Sequence, residues 1–260
     1  MTQQPNPWLL RHGNAPRRFR LFCFHHAGGN AGHYRDWQAG LELRLGGGVE
    51  VCAVQLPGRA QRSAETPYAS LPALVKALAP VITQHSHLPF AFFGHGMGGL
   101  LAYELTRYCQ LHALPLPQIL LVSGLAAPQY RSAPRAWHKL DDETLRQTLL
   151  QADAMPPEAL ASEAAMQAIL PVLRADFAMV ETWQFFPAPA LHIPVTVLAG
   201  RRDRRTTPEQ VDGWSRETAT YCRIEWLDGE HFFIHQQISA VLDCIAASLR
   251  HCQGMQLAVA

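Results

Sequence analysis

Three short stretches, far apart in the chain, hold residue types that work together in acyl-transfer chemistry. Gly200-Arg201-Arg202-Asp203 supplies a carboxylate just past an apolar run, and Asp228-Gly229-Glu230-His231-Phe232-Phe233 supplies an imidazole just past a later one. An imidazole takes a proton from a nucleophile and returns it to the leaving group, while a carboxylate behind it fixes the tautomer and stabilises the imidazolium. The third stretch, Phe92-Phe93-Gly94-His95-Gly96-Met97-Gly98-Gly99, follows an apolar run and precedes a helical pattern. That is the setting of the strand-turn-helix bend that presents a nucleophilic serine. Gly94 and Gly98 stand where a G-x-S-x-G pattern needs them, but Gly96 occupies the nucleophile position. The order nucleophile, acid, histidine is that of serine hydrolases built on an α/β sheet. Asp203 and His231 are therefore expected as a catalytic pair facing a bend without its hydroxyl. Ser63 and Ser123 are the nearest other hydroxyls by motif context, and both read better as loop and strand-end hydrogen-bonding groups.

Such chemistry also needs two N–H groups aimed at the developing oxyanion. The N–H of Met97, directly after the nucleophile position, suits the first role. The loop His25-His26-Ala27-Gly28-Gly29, after an early apolar run, suits the second, with Ala27 as the donor and glycines that allow close approach of the backbone. The plain alternative is a glycine turn. It is not a phosphate loop, because neither G-x-x-x-x-G-K nor G-x-G-x-x-G is present there.

The elements that must carry these loops are legible as short apolar runs: Phe19-Phe24, Val49-Gln55, Phe90-Phe93, Ile119-Ser123, Val195-Ala199 and Arg223-Leu227. They are rich in Val, Ile, Leu and Phe without clean alternation, as strands of a parallel sheet covered on both faces are. Helical patterns lie between them over Leu71-Gln84, Gly98-Gln110, Pro208-Thr218 and Ile238-Leu249. The alternation predicts a doubly wound α/β fold with ligands at the carboxyl ends of the strands. Residues 129–189 break it. Asp141-Asp142-Glu143 opens one helix and a second helical tract runs from Pro157 to Trp183, so a helical lid is expected between strands. Met155, Met166, Phe177, Met179, Trp183 and Phe185 would line an acyl channel or, more simply, form the core of that lid. A single domain is expected over 18–250, with loose tails at Met1-Arg17 and after His251.

The 260 residues, 48% of them hydrophobic, suffice for one sizeable core. A net charge of +1 gives no footprint for nucleic acid or an anionic membrane. The polar start has no apolar leader segment, and no stretch is apolar enough to span a bilayer, so a cytoplasmic protein is expected. The six cysteines are scattered and the 13 histidines show no ligand spacing, which predicts reduced thiols and no metal.

Taken together, Phe24-His25-His26-Ala27-Gly28-Gly29, Gln55-Leu56-Pro57-Gly58-Arg59, Gly94-His95-Gly96-Met97-Gly98-Gly99, Arg174-Ala175-Asp176-Phe177, Gly200-Arg201-Arg202-Asp203 and Gly229-Glu230-His231-Phe232-Phe233 resemble the type II (external) thioesterases of polyketide and nonribosomal peptide synthesis. The resemblance runs from about Arg18 to Leu249. It implies an α/β-hydrolase fold with a helical lid and hydrolysis of acyl thioesters from the phosphopantetheine arm of acyl or peptidyl carrier proteins. The partners implied are those carriers, the enzyme needs no cofactor of its own, and a monomer is expected. Arg59 would contact the carrier's phosphopantetheine phosphate or serve as a structural arginine.

The family pattern reads G-H-S-M-G where this chain has Gly96. Three explanations compete: a deliberate Ser-to-Gly replacement that traps a ligand or partner, favoured because every other part is intact; a natural protein in which His231 activates water; or a carrier-binding protein that has lost catalysis. A generic carboxylesterase remains the rival of another substrate class.

Overall fold

The computed structural model describes residues 6–11, 17–130, 135–151 and 163–257. Strands β1 (Leu9–Arg11), β2 (Phe19–Phe24), β3 (Val49–Val54), β4 (Phe90–His95), β5 (Leu120–Ser123), β6 (Val195–Gly200) and β7 (Cys222–Leu227) form one sheet in the order β1-β3-β2-β4-β5-β6-β7. All neighbours are parallel except β1, which runs antiparallel along β3 with Leu9 opposite Val54. The order reverses at β2, and β4, the strand that ends in the bend, lies beside it at the centre.

Helices α1 (Trp37–Leu45), α2 (Leu71–Gln84), α3 (Met97–Leu111) and α8 (Ile238–Leu257) cover the two faces. The interior strands bury every residue because both faces are packed. Phe22, Phe24 and Phe92 meet Leu74 and Leu78 of α2 and Leu101 and Leu105 of α3. The alternate residues Leu21, Cys23 and Phe93 meet Trp37 and Leu41 of α1 and Val241 and Ile245 of α8. Two successive hydrophobic layers therefore clamp β2 and β4, and the loops at their carboxyl ends inherit that rigidity.

Two differences from the expectation concern the ends of the domain. Leu9–Arg11, placed in a loose tail by the sequence, pairs with β3, and α8 continues past His251 to Leu257. The stretch Pro208-Thr218 is a short helix α6 (Pro208–Asp212), held by a capping box between Thr207 and Gln210, followed by a 3-10 turn over Gly213–Arg216.

Between β5 and β6 the chain inserts α4 (Asp142–Gln151) and α5 (Glu163–Thr182). They share a small separate core of Leu145, Leu149, Met166, Leu170 and Leu173, with Trp137 and Phe177 packed on it. Arg174 ties the insertion internally through the carbonyls of His138 and Leu140 and the carboxylate of Asp142. Met179 instead joins the main core, whereas Met155 lies outside the described residues. Among the described residues no helix is long and apolar enough to cross a membrane.

Candidate active site

At the end of β4 the chain reverses into α3 through Gly96, which adopts φ 54° and ψ −115°. Two close approaches force this bend. A Cβ on Gly94 would lie 2.1 Å from the carbonyl oxygen of Gly98, and a Cβ on Gly98 would lie 2.0 Å from that of Phe24. Neither site tolerates a side chain, so the outer glycines of the motif are a packing requirement independent of the residue between them. Gly96 differs. A Cβ there would meet only His231 Nε2 at 3.6 Å and His26 Cβ at 4.0 Å, which are ordinary contacts, and its direction is toward the imidazole.

His231 lies just before the short helix α7 (Phe233–Gln236), and Asp203 in the loop after β6. The backbone stitches these two loops together: Arg201 N–H donates to Leu227 O and Arg202 N–H to Gly229 O. His231 Nδ1 is 2.8 Å from Asp203 Oδ2, and Asp203 Oδ1 accepts the N–H of Arg205 at 2.9 Å. A carboxylate can only accept, so Nδ1 carries the proton and Nε2 is left as a base facing Gly96. Burial pushes the Asp203 carboxyl up, but the hydrogen bond and charge of His231 and the Arg205 N–H outweigh it and hold the group below its ordinary value. Burial of His231 lowers its pKa more than the bond to Asp203 raises it, with the Arg205 charge acting in the same direction as burial. A neutral imidazole with its free nitrogen over the bend can remove a proton from a hydroxyl or a water.

Met97 is the first residue of α3, where backbone N–H groups have no partner within the helix. The loop with Ala27 is held from three sides. Gly29 N–H donates to His26 O at 3.0 Å, Gly28 N–H donates to Asp176 Oδ2 at 2.8 Å, and Arg59 Nη1 reaches Gly29 O at 3.3 Å. Asp176 lies on α5 in the insertion, fully buried, and takes two parallel bonds of 2.8 Å from Arg59. Arg59 is thus a structural arginine that joins the loop after β3 to the helical insertion. The sequence did not disclose this triangle of Arg59, Asp176 and the Gly28-Gly29 backbone. Its members lie up to 148 residues apart, and the only hint was two opposite charges in otherwise separate motifs.

Histidines crowd the same region. His95 is buried, shares a 2.9 Å hydrogen bond with Ser123 Oγ, and stands 4.9 Å, ring to ring, from His231. Ser123 therefore makes the strand-end hydrogen bond expected of it, and Ser63 is exposed behind a 3-10 turn. Burial holds His25 and His95 well below the ordinary imidazole value; with repulsion from His33 it brings His26 down to about 3, and with repulsion from His235 it brings His33 to about 4. These rings are neutral at pH 7, which keeps like charges away from His231. A cleft of about 360 Å³ opens between α2, α3 and α5, lined by Leu71, Glu104, Arg107, Met179, Trp183 and Phe186, and none of Gly96, Asp203 and His231 forms its wall.

A family profile described as a thioesterase domain matches residues 19–249. Linear gramicidin dehydrogenase LgrE of Brevibacillus parabrevis is 35% identical over 250 residues, covering 95% of this chain and 94% of that protein. Gramicidin S biosynthesis protein GrsT of Aneurinibacillus migulanus is 32% identical over 248 residues, covering 95% of each. Among solved structures, the type II thioesterase BorB from the borrelidin biosynthetic cluster superposes with a TM-score of 0.85 at 32% identity, over 95% of this chain and 99% of that one.

Proposed function

This chain belongs to the thioesterase family, of α/β-hydrolase fold, and on that footing we propose that it is a type II thioesterase. Its substrates are acyl thioesters on the phosphopantetheine arm of acyl or peptidyl carrier proteins, which it clears during polyketide or nonribosomal peptide synthesis. The names of GrsT and BorB, both tied to such biosynthetic systems, support this substrate class. The observation that carries the chemistry is the aim of position 96 at His231 Nε2, which a Cβ there would meet at 3.6 Å, with Asp203 behind the ring.

In this reading His231 is the general base and acid, Asp203 orients it, and the N–H groups of Met97 and Ala27 receive the oxyanion. Residues 129–189 act as the lid, and Asp176 couples it to the oxyanion loop. The enzyme itself needs no cofactor, since the phosphopantetheine belongs to the carrier. Gly96 stands where the family's serine would be, so this chain is an impaired hydrolase. Its residual route is water. His231 takes a proton as the hydroxyl adds to the thioester carbonyl, the C–S bond breaks, and the proton passes to the departing sulfur. Oxyanion stabilisation and binding alone retain on the order of 10³ to 10⁴-fold catalysis over water in serine hydrolases without a triad member.

The test compares the Gly96→Ser chain on one acyl group carried by a phosphopantetheinylated carrier protein and by a small free thiol, read by mass spectrometry. A preference of at least about tenfold in kcat/KM for the carrier is expected, corresponding to about 1.4 kcal/mol of added transition-state binding. Equal rates would make it a generic esterase, and carrier binding without turnover a non-catalytic binder. Oxidation of a reduced nicotinamide by the same mixture would favour the activity named for LgrE.

A further inference from the structure

The folded chain gathers three histidines that its sequence keeps apart. His26 lies in the loop after β2, His33 on the 3-10 turn Ala31–Tyr34, and His235 on α7, four residues past His231. One ring nitrogen from each lies within 4.8 Å of the other two. The ring centroids are 4.9 Å apart for His26 and His33, 5.2 Å for His33 and His235, and 5.6 Å for His26 and His235.

The state of His26 gives this cluster its chemistry. Its Nδ1 is 2.9 Å from the carbonyl oxygen of Ala27. A carbonyl only accepts, so Nδ1 carries the hydrogen and Nε2 presents a bare lone pair. That Nε2 is buried with no hydrogen-bond partner, on a side chain only 5% exposed. An imidazole that donates one N–H to a backbone carbonyl and offers its other nitrogen unprotonated is the arrangement found behind metal-ligating histidines. The ring of His33 packs on those of His26 and His235 while the rest of the residue reaches solvent, which provides an entry path.

We propose that His26, His33 and His235 form a three-imidazole site for a borderline divalent transition-metal ion of the Zn²⁺ kind, beside the catalytic centre and separate from His231. Nitrogen-only ligation suits Zn²⁺, Co²⁺, Ni²⁺ and Cu²⁺ rather than Mg²⁺ or Ca²⁺. Metal–nitrogen bonds of about 2.0–2.1 Å in a tetrahedron place the nitrogens about 3.3 Å apart, so the rings must close by roughly an ångström or more, which rotation of the exposed His33 and a small turn of α7 can supply. The ion would bind the loop that carries Ala27 to the helix that follows His231. It would therefore hold the two halves of the hydrolytic centre in register without entering the hydrolysis.

The experiment titrates the chelator-stripped full chain with Co²⁺, followed by its visible absorption, and then displaces it with Zn²⁺. One equivalent with tetrahedral absorption is expected. His33→Ala and His235→Ala should each weaken binding at least about tenfold, given that loss of even an outer-shell partner costs 10–100-fold. His112→Ala, at an exposed histidine on another part of the surface, should leave binding unchanged. Zn²⁺ should also raise the unfolding temperature of the parent but not of His33→Ala, whose metal-free unfolding should match the parent. Absence of a one-equivalent site, or its survival in either of the two variants, overturns the proposal. Should His235→Ala fold poorly, His33→Ala decides alone.

Discussion

Placing a hydroxyl at position 96 should change activity and stability in opposite directions. The backbone there has φ 54° and ψ −115°, a region that costs a residue with a side chain about 1–3 kcal/mol. No clash adds to this, because the new Cβ meets His231 Nε2 at 3.6 Å and His26 Cβ at 4.0 Å. At about 2–4 °C per kcal/mol for a chain of this size, Gly96→Ser should unfold a few degrees to about 10 °C lower than the parent. The hydroxyl oxygen would sit one bond beyond a Cβ 3.6 Å from His231 Nε2, and the rotamer aimed at the ring brings it into the about 2.6–3.2 Å reach that couples a nucleophile to its base. Removing such a nucleophile costs a developed serine hydrolase about 10⁶-fold in kcat. A gain of at least about 10³-fold, or roughly 4 kcal/mol of barrier, is therefore expected on a short acyl thioester, followed by release of free thiol. Gly96→Ala separates the two effects: it should show the same loss of stability with no gain in rate. A folded Gly96→Ser chain with the parent's hydrolysis rate would refute the pairing of position 96 with His231. A variant more stable than the parent would refute the strained bend.

Three further outcomes follow from the same geometry. In the Gly96→Ser background, Asp203→Asn should reduce kcat about 10⁴-fold while the fold persists, because the amide presents the wrong partner to His231 Nδ1; a loss under tenfold would contradict the role of the 2.8 Å bond. Asp176→Asn leaves the buried Arg59 without its carboxylate and should cost about 3–5 kcal/mol in denaturant unfolding, with a fall in kcat of the Gly96→Ser background as the Gly28 contact loosens; unchanged kcat would uncouple the insertion from the oxyanion loop. The pKa of His231 is depressed by burial, so its neutral, active form persists below the ordinary 6.5. The acid limb of kcat/KM should therefore have its midpoint below pH 6.5, and a midpoint at or above 7 would contradict the burial of the ring.

How much of this was legible depends on how local each signal is. Five of the six parallel strands, β2 to β6, show as apolar runs because they are packed on both faces and bury every residue, whereas the edge strand β7 is only partly buried and its run Arg223-Leu227 carries charges. β1 was missed because three residues in a polar stretch, Leu9-Leu10-Arg11, make no periodic pattern. α1 was missed because its inward stripe is only Trp37, Gln38 and Leu41, while Leu43 faces solvent. The bend was legible since Gly94 and Gly98 answer to contacts within a few residues of themselves and with β2. The pair Arg59 and Asp176 was not, since 117 residues separate two charges that are usually surface groups. The cluster of His26, His33 and His235 was hidden because its third member is a lone histidine about 200 residues past the other two, and a single remote histidine makes no ligand spacing.

The bend does not depend on its central residue, so in the reading proposed above the site keeps its form with glycine at position 96. Gly94 and Gly98 are fixed by backbone oxygens at 2.0–2.1 Å from any Cβ they might carry. Gly96 N–H is spent on Ser123 O at 2.9 Å and Gly96 O accepts Leu100 N–H at 3.1 Å, bonds that any residue type makes. Asp203 and His231 are fixed by their own stitched loops, and the Ala27 loop by Asp176 and Arg59. No support in this set passes through a side chain at 96. A glycine there removes the hydroxyl and relieves about 1–3 kcal/mol of backbone strain, leaving the base, the carboxylate and the Ala27 loop where a serine would need them. In the proposed reading, position 96 is thus the place where a single substitution should separate substrate capture from turnover.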